Sequence, residues 1–263
     1  NNTIKNIIMD KYQQIGLGTY KLKSDACVDI VKEALNIGYR HIDTAQLYGN
    51  HQQVRQGITL SGVPREDIFL TSKIQDKNIV NKCIAESIDN IKKELEIDYL
   101  DLLLLHNPVE NYADGWKNLI YAKNHFNILN IGVSNFEIGH IETIKDRFDI
   151  LPVLNQIEYN IFQQRPHLIN YCNEQNIVVQ SHTGLTRKKK FEDVKLVDFS
   201  EKHGVQPGFF MHKFILQKNI GILPKTTNLD HLQENFNLAS QPNLSDEMME
   251  ELNGFDEQFT LYK

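Results

Sequence analysis

The sequence predicts a single-domain (β/α)8 barrel, and three observations carry that prediction. Eight short apolar runs alternate with stretches at helical spacing. The runs are mostly continuous rather than alternating, as expected of parallel strands buried on both faces. A length of 263 residues with 41% hydrophobic content suits one barrel domain spanning residues 1–263. No low-complexity tract or Pro/Gly/Ser linker marks an internal boundary. The rival is an open doubly wound sheet carrying a nucleotide on a Gly-rich first turn. It fails because "GLGTYKLKSD" offers only Gly16 and Gly18, with no third glycine and no helix starting at once.

In order, the predicted strands are Tyr12–Gly18, Tyr39–Asp43, Asp67–Lys73, Tyr99–His106, Asn130–Asn135, Val153–Asn160, Ile177–His182 and Asn219–Lys225. Between the first two lies Ser24–Gly38, where Ser24 reads as a helix cap and Val28, Val31, Ala34 and Leu35 fall on one face. Further amphipathic stretches are Asn78–Leu95, Glu137–Asp146, Arg165–Gln175 and Asn228–Leu238.

Composition narrows the function. The net charge is −6 and the basic residues are scattered, which predicts neither a nucleic-acid footprint nor a polybasic membrane patch. Cys27, Cys83 and Cys172 stand far apart without CxxC spacing and read as reduced thiols. No apolar run approaches the roughly 20 residues that span a bilayer. The opening "NNTIKNIIMD" lacks a signal-peptide core, so a cytoplasmic location is expected. The ten histidines show no HExxH or similar ligand spacing, and no metal is predicted.

In a barrel, side chains at the carboxyl ends of the strands share one site however far apart they lie in sequence. That rule gathers Asp43 and the following Tyr48, then Lys73, His106, Ser134 with Asn135, and Gln156 with Glu158. Singly, each has an ordinary explanation. Asp43 could cap a turn, Tyr48 could be a loop aromatic, Lys73 could snorkel, and His106 could be a hydrogen-bonded structural histidine. Together, four different titratable groups ending consecutive buried strands are costly to place without a use. The chemistry they suit is proton donation by a phenol. Free tyrosine, with a pKa of about 10, is a poor acid at neutral pH. A lysine ammonium about 4 Å away, at an effective dielectric near 20, attracts a phenolate by roughly 4 kcal/mol before desolvation. Asp43 would hold Lys73 charged, and His106 would face the substrate oxygen.

The motifs "GLGTY", "GYRHIDTAQLYGN", "TSK", "DYLDLLLLHNP", "GVSNF", "NQIEYN" and "ILPKTTNLDHLQENF" resemble the aldo-keto reductases in order and spacing, from about Gly16 to Phe236. The resemblance implies a carbonyl reductase using NADP(H) by preference, with NAD(H) possible, bound without a Rossmann domain. It implies Tyr48 as general acid, with Asp43, Lys73 and His106 completing a tetrad. Ser134, Asn135 and Gln156 would hold the nicotinamide carboxamide. Lys225, Thr226 and Asn228 would lie near the 2′-phosphate, and Glu234 and Asn235 near the adenine. The implied partner is a small aldehyde or ketone, and the implied state a monomer. "GVSNF" lacks the second glycine of a hydrolase elbow.

Several positions depart from the family pattern. His231 stands where an arginine often covers the 2′-phosphate, so the permanent charge and bidentate fork are lost. In "HTGLT", His182 replaces the tyrosine that stacks on the nicotinamide. The following Arg187, Lys188, Lys189 and Lys190 either close over the pyrophosphate or form a solvated charge run. His51 replaces a common glutamate, and Asn107 replaces a frequent tryptophan in the substrate pocket, where Tyr20 remains as an aromatic wall. The short tail "LNGFDEQFTLYK" leaves a broad, open pocket as the expectation. These departures keep a second function in view: a nicotinamide-cofactor-binding protein that senses redox state or regulates a partner.

Overall fold

A computed structural model describes residues 11–261, so the stretch Asn1–Asp10 and the last two residues of the tail lie outside them. Eight parallel strands pair in chain order: β1 (Leu17–Gly18), β2 (His41–Asp43), β3 (Phe69–Ile74), β4 (Leu102–Leu105), β5 (Ile131–Ser134), β6 (Leu154–Glu158), β7 (Val178–His182) and β8 (Gly221–Ile222). The last strand returns to the first. Ile15 bridges Ile222 in parallel, and Gly16 and Gly18 donate their backbone N–H groups to Ile222 and Pro224 at 3.0 and 3.1 Å. A Cβ on Gly18 would fall 2.7 Å from the Leu223 carbonyl oxygen, so only glycine lets the two ends of the sheet approach this closely.

The leucine run of β4 shows why the apolar patterns are continuous. Leu102 and Leu104 join Tyr12, Phe69 and Leu154 in the barrel interior, whereas Leu103 and Leu105 pack against the surrounding helices. Both faces of the strand are covered. The same period of two runs around the barrel. Starting from Phe69, it turns Thr71 and Lys73 inward, and starting from Leu154 it turns Gln156 and Glu158 inward. The interior is therefore apolar in its lower layer and polar toward the carboxyl ends of the strands.

Eleven α-helices surround the strands among the described residues: α1 (Ser24–Ile37), α2 (His51–Ser61), α3 (Asp76–Val80), α4 (Ile84–Leu95), α5 (Tyr112–His125), α6 (Ile138–Arg147), α7 (Pro166–Glu174), α8 (Val194–His203), α9 (Pro207–Gln217), α10 (Leu229–Asn237) and α11 (Asp246–Asn253). Three local expectations are corrected. The strands are shorter than their apolar runs, β1 and β8 having only two residues each because the sheet closes there by single bridges. Ser24 does not cap α1: it has φ of 50°, and Lys23 occupies the cap position with no side-chain bond. The stretch Asn78–Leu95 is two helices, broken where Lys82 adopts φ of 57°; the polar Asn81–Lys82 pair gives that turn no apolar side chain to bury.

Candidate active site

The polar layer at the carboxyl ends of the strands opens into a cavity of about 730 Å³. Its wall includes Tyr20, Asp43, Tyr48, His106, Asn107, Ser134, Asn135, Gln156, His182 and Lys225. These ten residues come from strand ends and the loops that follow them, as the strand-end rule predicts, with Lys73 standing behind this wall, fully buried. Its Nζ donates to Asp43 Oδ1 at 2.5 Å, to the Thr44 carbonyl at 3.1 Å and to the Tyr48 hydroxyl at 3.3 Å. Tyr48 ends a short 3-10 turn, Gln46–Tyr48, closed by Gly49 in the left-handed region with φ of 62°. That turn brings the phenol back over the end of β3.

Desolvation is the main influence on these groups. Burial pulls the Lys73 ammonium below the usual lysine range, and Asp43 opposes that pull. His106 is lowered to about 3, first by burial and then by the charge on Lys73. It is therefore neutral at physiological pH, and its buried Nδ1 has no hydrogen-bond partner among the described residues. The His106 and Tyr48 rings meet edge to face with centroids 6.0 Å apart, while Tyr20 lies 5.1 Å from Tyr48 on another side.

The two amides beside this group are oriented by their neighbours. Gln156 Nε2 donates to Asp43 Oδ2 at 2.9 Å and to Gln180 Oε1 at 2.7 Å, which spends both of its hydrogens and leaves Gln156 Oε1 as an acceptor. Asn135 Nδ2 donates to Asn107 Oδ1 at 2.8 Å and to Ser134 Oγ at 3.2 Å. The Ser134 hydroxyl, having accepted, keeps its own proton to give. An acceptor and a hydroxyl donor side by side match a primary carboxamide, which offers an N–H and a carbonyl oxygen. The donor set thus fits a nicotinamide.

His182 does not present its ring as a free stacking face. Its Nε2 lies 2.7 Å from Asn135 Oδ1, and its Nδ1 faces the Thr183 hydroxyl at 3.2 Å. Burial, with Lys73 second, lowers it to about 3. The loop beyond it turns through positive φ at Thr186, Arg187 and Lys188 and places the Arg187 guanidinium 5.7 Å from the Tyr20 ring centroid. Lys190 is instead tied to Asp193 and Glu257 and approaches the Phe162 and Phe259 rings.

Five predicted residues lie off the cavity wall. Thr226 and Asn228 lie between β8 and α10, and His231, Glu234 and Asn235 lie in α10. Asn228 caps that helix, its side chain accepting from the His231 backbone at 3.0 Å, while Thr226 Oγ1 accepts from Asn228 N at 2.9 Å. The expectation of a fully open pocket is also modified by the tail. Thr260 lines the cavity, and Glu158 accepts from Thr260 Oγ1 and the Leu261 N–H, each at 2.9 Å. Residues not singled out from sequence include Asp76, which holds Asn107, and Gln180, which orients Gln156. Gln180 was discoverable, since it lies two residues before His182 and hence on the same face of β7. Among the described residues, no group of three or more His, Cys, Asp or Glu side chains is gathered as a metal site.

Residues 14–257 match the aldo/keto reductase family. The chain is 34% identical over 248 residues to the 9,11-endoperoxide prostaglandin H2 reductase of Trypanosoma cruzi, covering 91% of this chain and 87% of that protein. It is 30% identical over 230 residues to the methylglyoxal reductase DkgA of Escherichia coli K12, covering 86% and 83%. Among solved structures, an aldo-keto reductase from a deep-sea metagenome library superposes with a TM-score of 0.90 at 28% identity, covering 96% and 94% of the two chains. The Bombyx mori aldo-keto reductase in complex with NADP gives a TM-score of 0.86 at 26% identity, covering 96% and 92%.

Proposed function

This chain belongs to the aldo/keto reductase family, and from that membership we propose that it reduces the carbonyl group of small aldehydes or ketones with NADPH, Tyr48 delivering the proton. The observation that carries the reading is the buried Lys73 ammonium, which spans Asp43 at 2.5 Å and the Tyr48 hydroxyl at 3.3 Å.

When bound, NADPH supplies the hydride. Gln156 Oε1 would accept from the carboxamide N–H, and the Ser134 hydroxyl would donate to the carboxamide oxygen. Such contacts would hold the nicotinamide at the polar end of the barrel. Tyr48 then donates its phenolic proton to the carbonyl oxygen, and Lys73 stabilises the charge left on the phenol oxygen. Asp43 keeps Lys73 in place through a buried contact. His106, neutral at physiological pH, orients the substrate oxygen rather than competing with Tyr48 as the acid. Lys225 on the cavity wall would meet the phosphate-bearing half of the cofactor, with Thr226, Asn228 and His231 following it in the chain.

This geometry favours catalysis over a purely sensing role, because a cofactor sensor has no need of a phenol paired with a buried ammonium. The site is complete within one chain, which supports a monomer as the working unit. No helix among the described residues is long and apolar enough to cross a membrane. The free cysteines, two of them buried, support a reducing compartment such as the cytoplasm. The test is to mix the protein with NADPH or NADH and a panel of aldehydes and ketones, following loss of the reduced-cofactor absorbance. Turnover with NADPH is expected; cofactor binding without turnover of any carbonyl would overturn the reading.

A further inference from the structure

We propose that Asp76, outside the catalytic group, is a positioning residue that, together with the His106 backbone carbonyl, sets the direction of a hydrogen-bonded chain running through Asn107 and Asn135 to His182 and Ser134, and thereby the polarity of the nicotinamide site. The cofactor half of this inference rests on the function proposed above; the chain itself does not.

The direction of the chain follows from two groups that only accept, the Asp76 carboxylate at its start and the His106 backbone carbonyl, to which Asn135 Nδ2 also donates at 3.3 Å. An ionised carboxylate only accepts hydrogen bonds. Asp76, in the first turn of α3, lies with its two oxygens 3.0 and 2.9 Å from one nitrogen of Asn107. Asn107 must therefore turn its NH2 toward Asp76 and its oxygen toward Asn135. Asn135 must answer with its NH2, at 2.8 Å, and so turns its own oxygen to His182, at 2.7 Å. An oxygen there requires a hydrogen on His182 Nε2. The opposite tautomer would set a ring lone pair against an amide oxygen at 2.7 Å. The environment keeps the ring neutral, so Nδ1 carries the lone pair, which the Thr183 hydroxyl serves by turning its proton from the His182 carbonyl to the ring.

Ser134 is the branch that matters for binding. With Asn135 held in this sense, its Nδ2 donates to Ser134 Oγ at 3.2 Å and the serine proton stays free for a ligand. If Asn135 flipped, its oxygen would face Ser134 and capture that proton. The carboxamide oxygen would then lose its donor. The position of His182 in the chain also gives it a task that its replacement of a tyrosine did not suggest: it closes the end of the amide chain instead of lying flat on the cofactor.

The test uses the full chain labelled with 15N and long-range 1H–15N correlation of the imidazoles, His182 being assigned by its absence in His182→Gln. Wild type should show the Nε2–H tautomer at His182. In Asp76→Asn the new amide can meet Asn107 in either sense, so the bias toward one direction is weakened and His182 should shift toward Nδ1–H. The double variant Asp76→Asn/Asn107→Asp returns an acceptor to Asn135 at unchanged net charge and should restore Nε2–H. In calorimetric titration with NADPH, Asp76→Asn should bind about tenfold more weakly, the scale of one hydrogen bond, and the double variant should recover most of that loss. A residue that merely supported the fold would not be rescued by exchanging the two side chains. An Nδ1–H tautomer in wild type overturns the chain without any variant. An unchanged tautomer in Asp76→Asn, or a changed tautomer with unaltered NADPH affinity, overturns the positioning role. Absence of NADPH binding by the wild type would instead sink the proposed function, and the tautomer would still decide the chain.

Discussion

Replacing Lys73 by methionine tests the central pair on stability and rate together. Methionine fits the length of the lysine stem, but Asp43, itself only 2% exposed, would keep one amide donor and lose its cation. Removing one partner of a buried ion pair costs about 3–5 kcal/mol, because a charge is stranded away from water. For a chain of this size each kcal/mol lowers the melting temperature by about 2–4 °C, so a drop on the order of 10 °C is expected. Adding Asp43→Asn removes the stranded charge and should return more than half of it, a coupling that a double-mutant cycle reads directly. Activity should not return with stability. At 3.3 Å and an effective dielectric near 20, the ammonium attracts a phenolate by about 5 kcal/mol. One third of that is more than tenfold in rate, so kcat should fall at least that far in both variants. Thermal melts by circular dichroism and the reduced-cofactor assay measure the two effects. If Lys73→Met melts with the wild type, or if the double variant recovers turnover along with stability, the assignment of Lys73 is wrong.

Tyr48→Phe should abolish turnover and leave NADPH binding almost intact; retained carbonyl reduction would mean that another group supplies the proton. The lowered histidines His106, His182 and His212, at about 3, 3 and 4, predict acid sensitivity. They stay neutral in the fold while the unfolded chain takes up protons below its ordinary histidine pKa of about 6.5, so stability should fall as pH drops from there toward 4. Each contributes at most about 1.4 kcal/mol per pH unit. A melting temperature flat from pH 7 to pH 4, or an unchanged slope in His212→Gln, would contradict this. Lys225→Met should raise KM for NADPH more than for NADH, and His231→Arg should tighten NADPH selectively; equal effects on both cofactors would place the 2′-phosphate elsewhere.

The catalytic group was legible because a strand period of two and the strand-end rule together determine which side chains face inward. Asp43, Lys73 and Gln156 needed no further information to be gathered. What stayed hidden were contacts set by loop paths. Asp76 lies beyond β3 in a short helix, and nothing in its local pattern tells that it grips Asn107 across 31 positions. His182 could be recognised as a departure, yet its ring edge, held by Asn135, depends on the direction of two intervening amides. The approach of Thr260 and Leu261 to the cavity depends on a buried carboxylate, Glu158 at the end of β6, which no local pattern in that segment reveals. The break at Lys82 escaped notice because helical spacing continues on both sides of it.

The closing seam of the barrel has a bearing on how such a protein can change over time. Where Gly18 passes the Leu223 carbonyl there is room for a hydrogen and nothing larger, so drift at that position is blocked by backbone rather than by chemistry. Side chains at the mouth stand under a different constraint, Tyr20 and Leu47 lining the cavity while 40% and 61% exposed. New substrates can be explored there one exchange at a time while the join between first and last strands stays the same, which separates the part of the molecule free to innovate from the part that must be inherited intact.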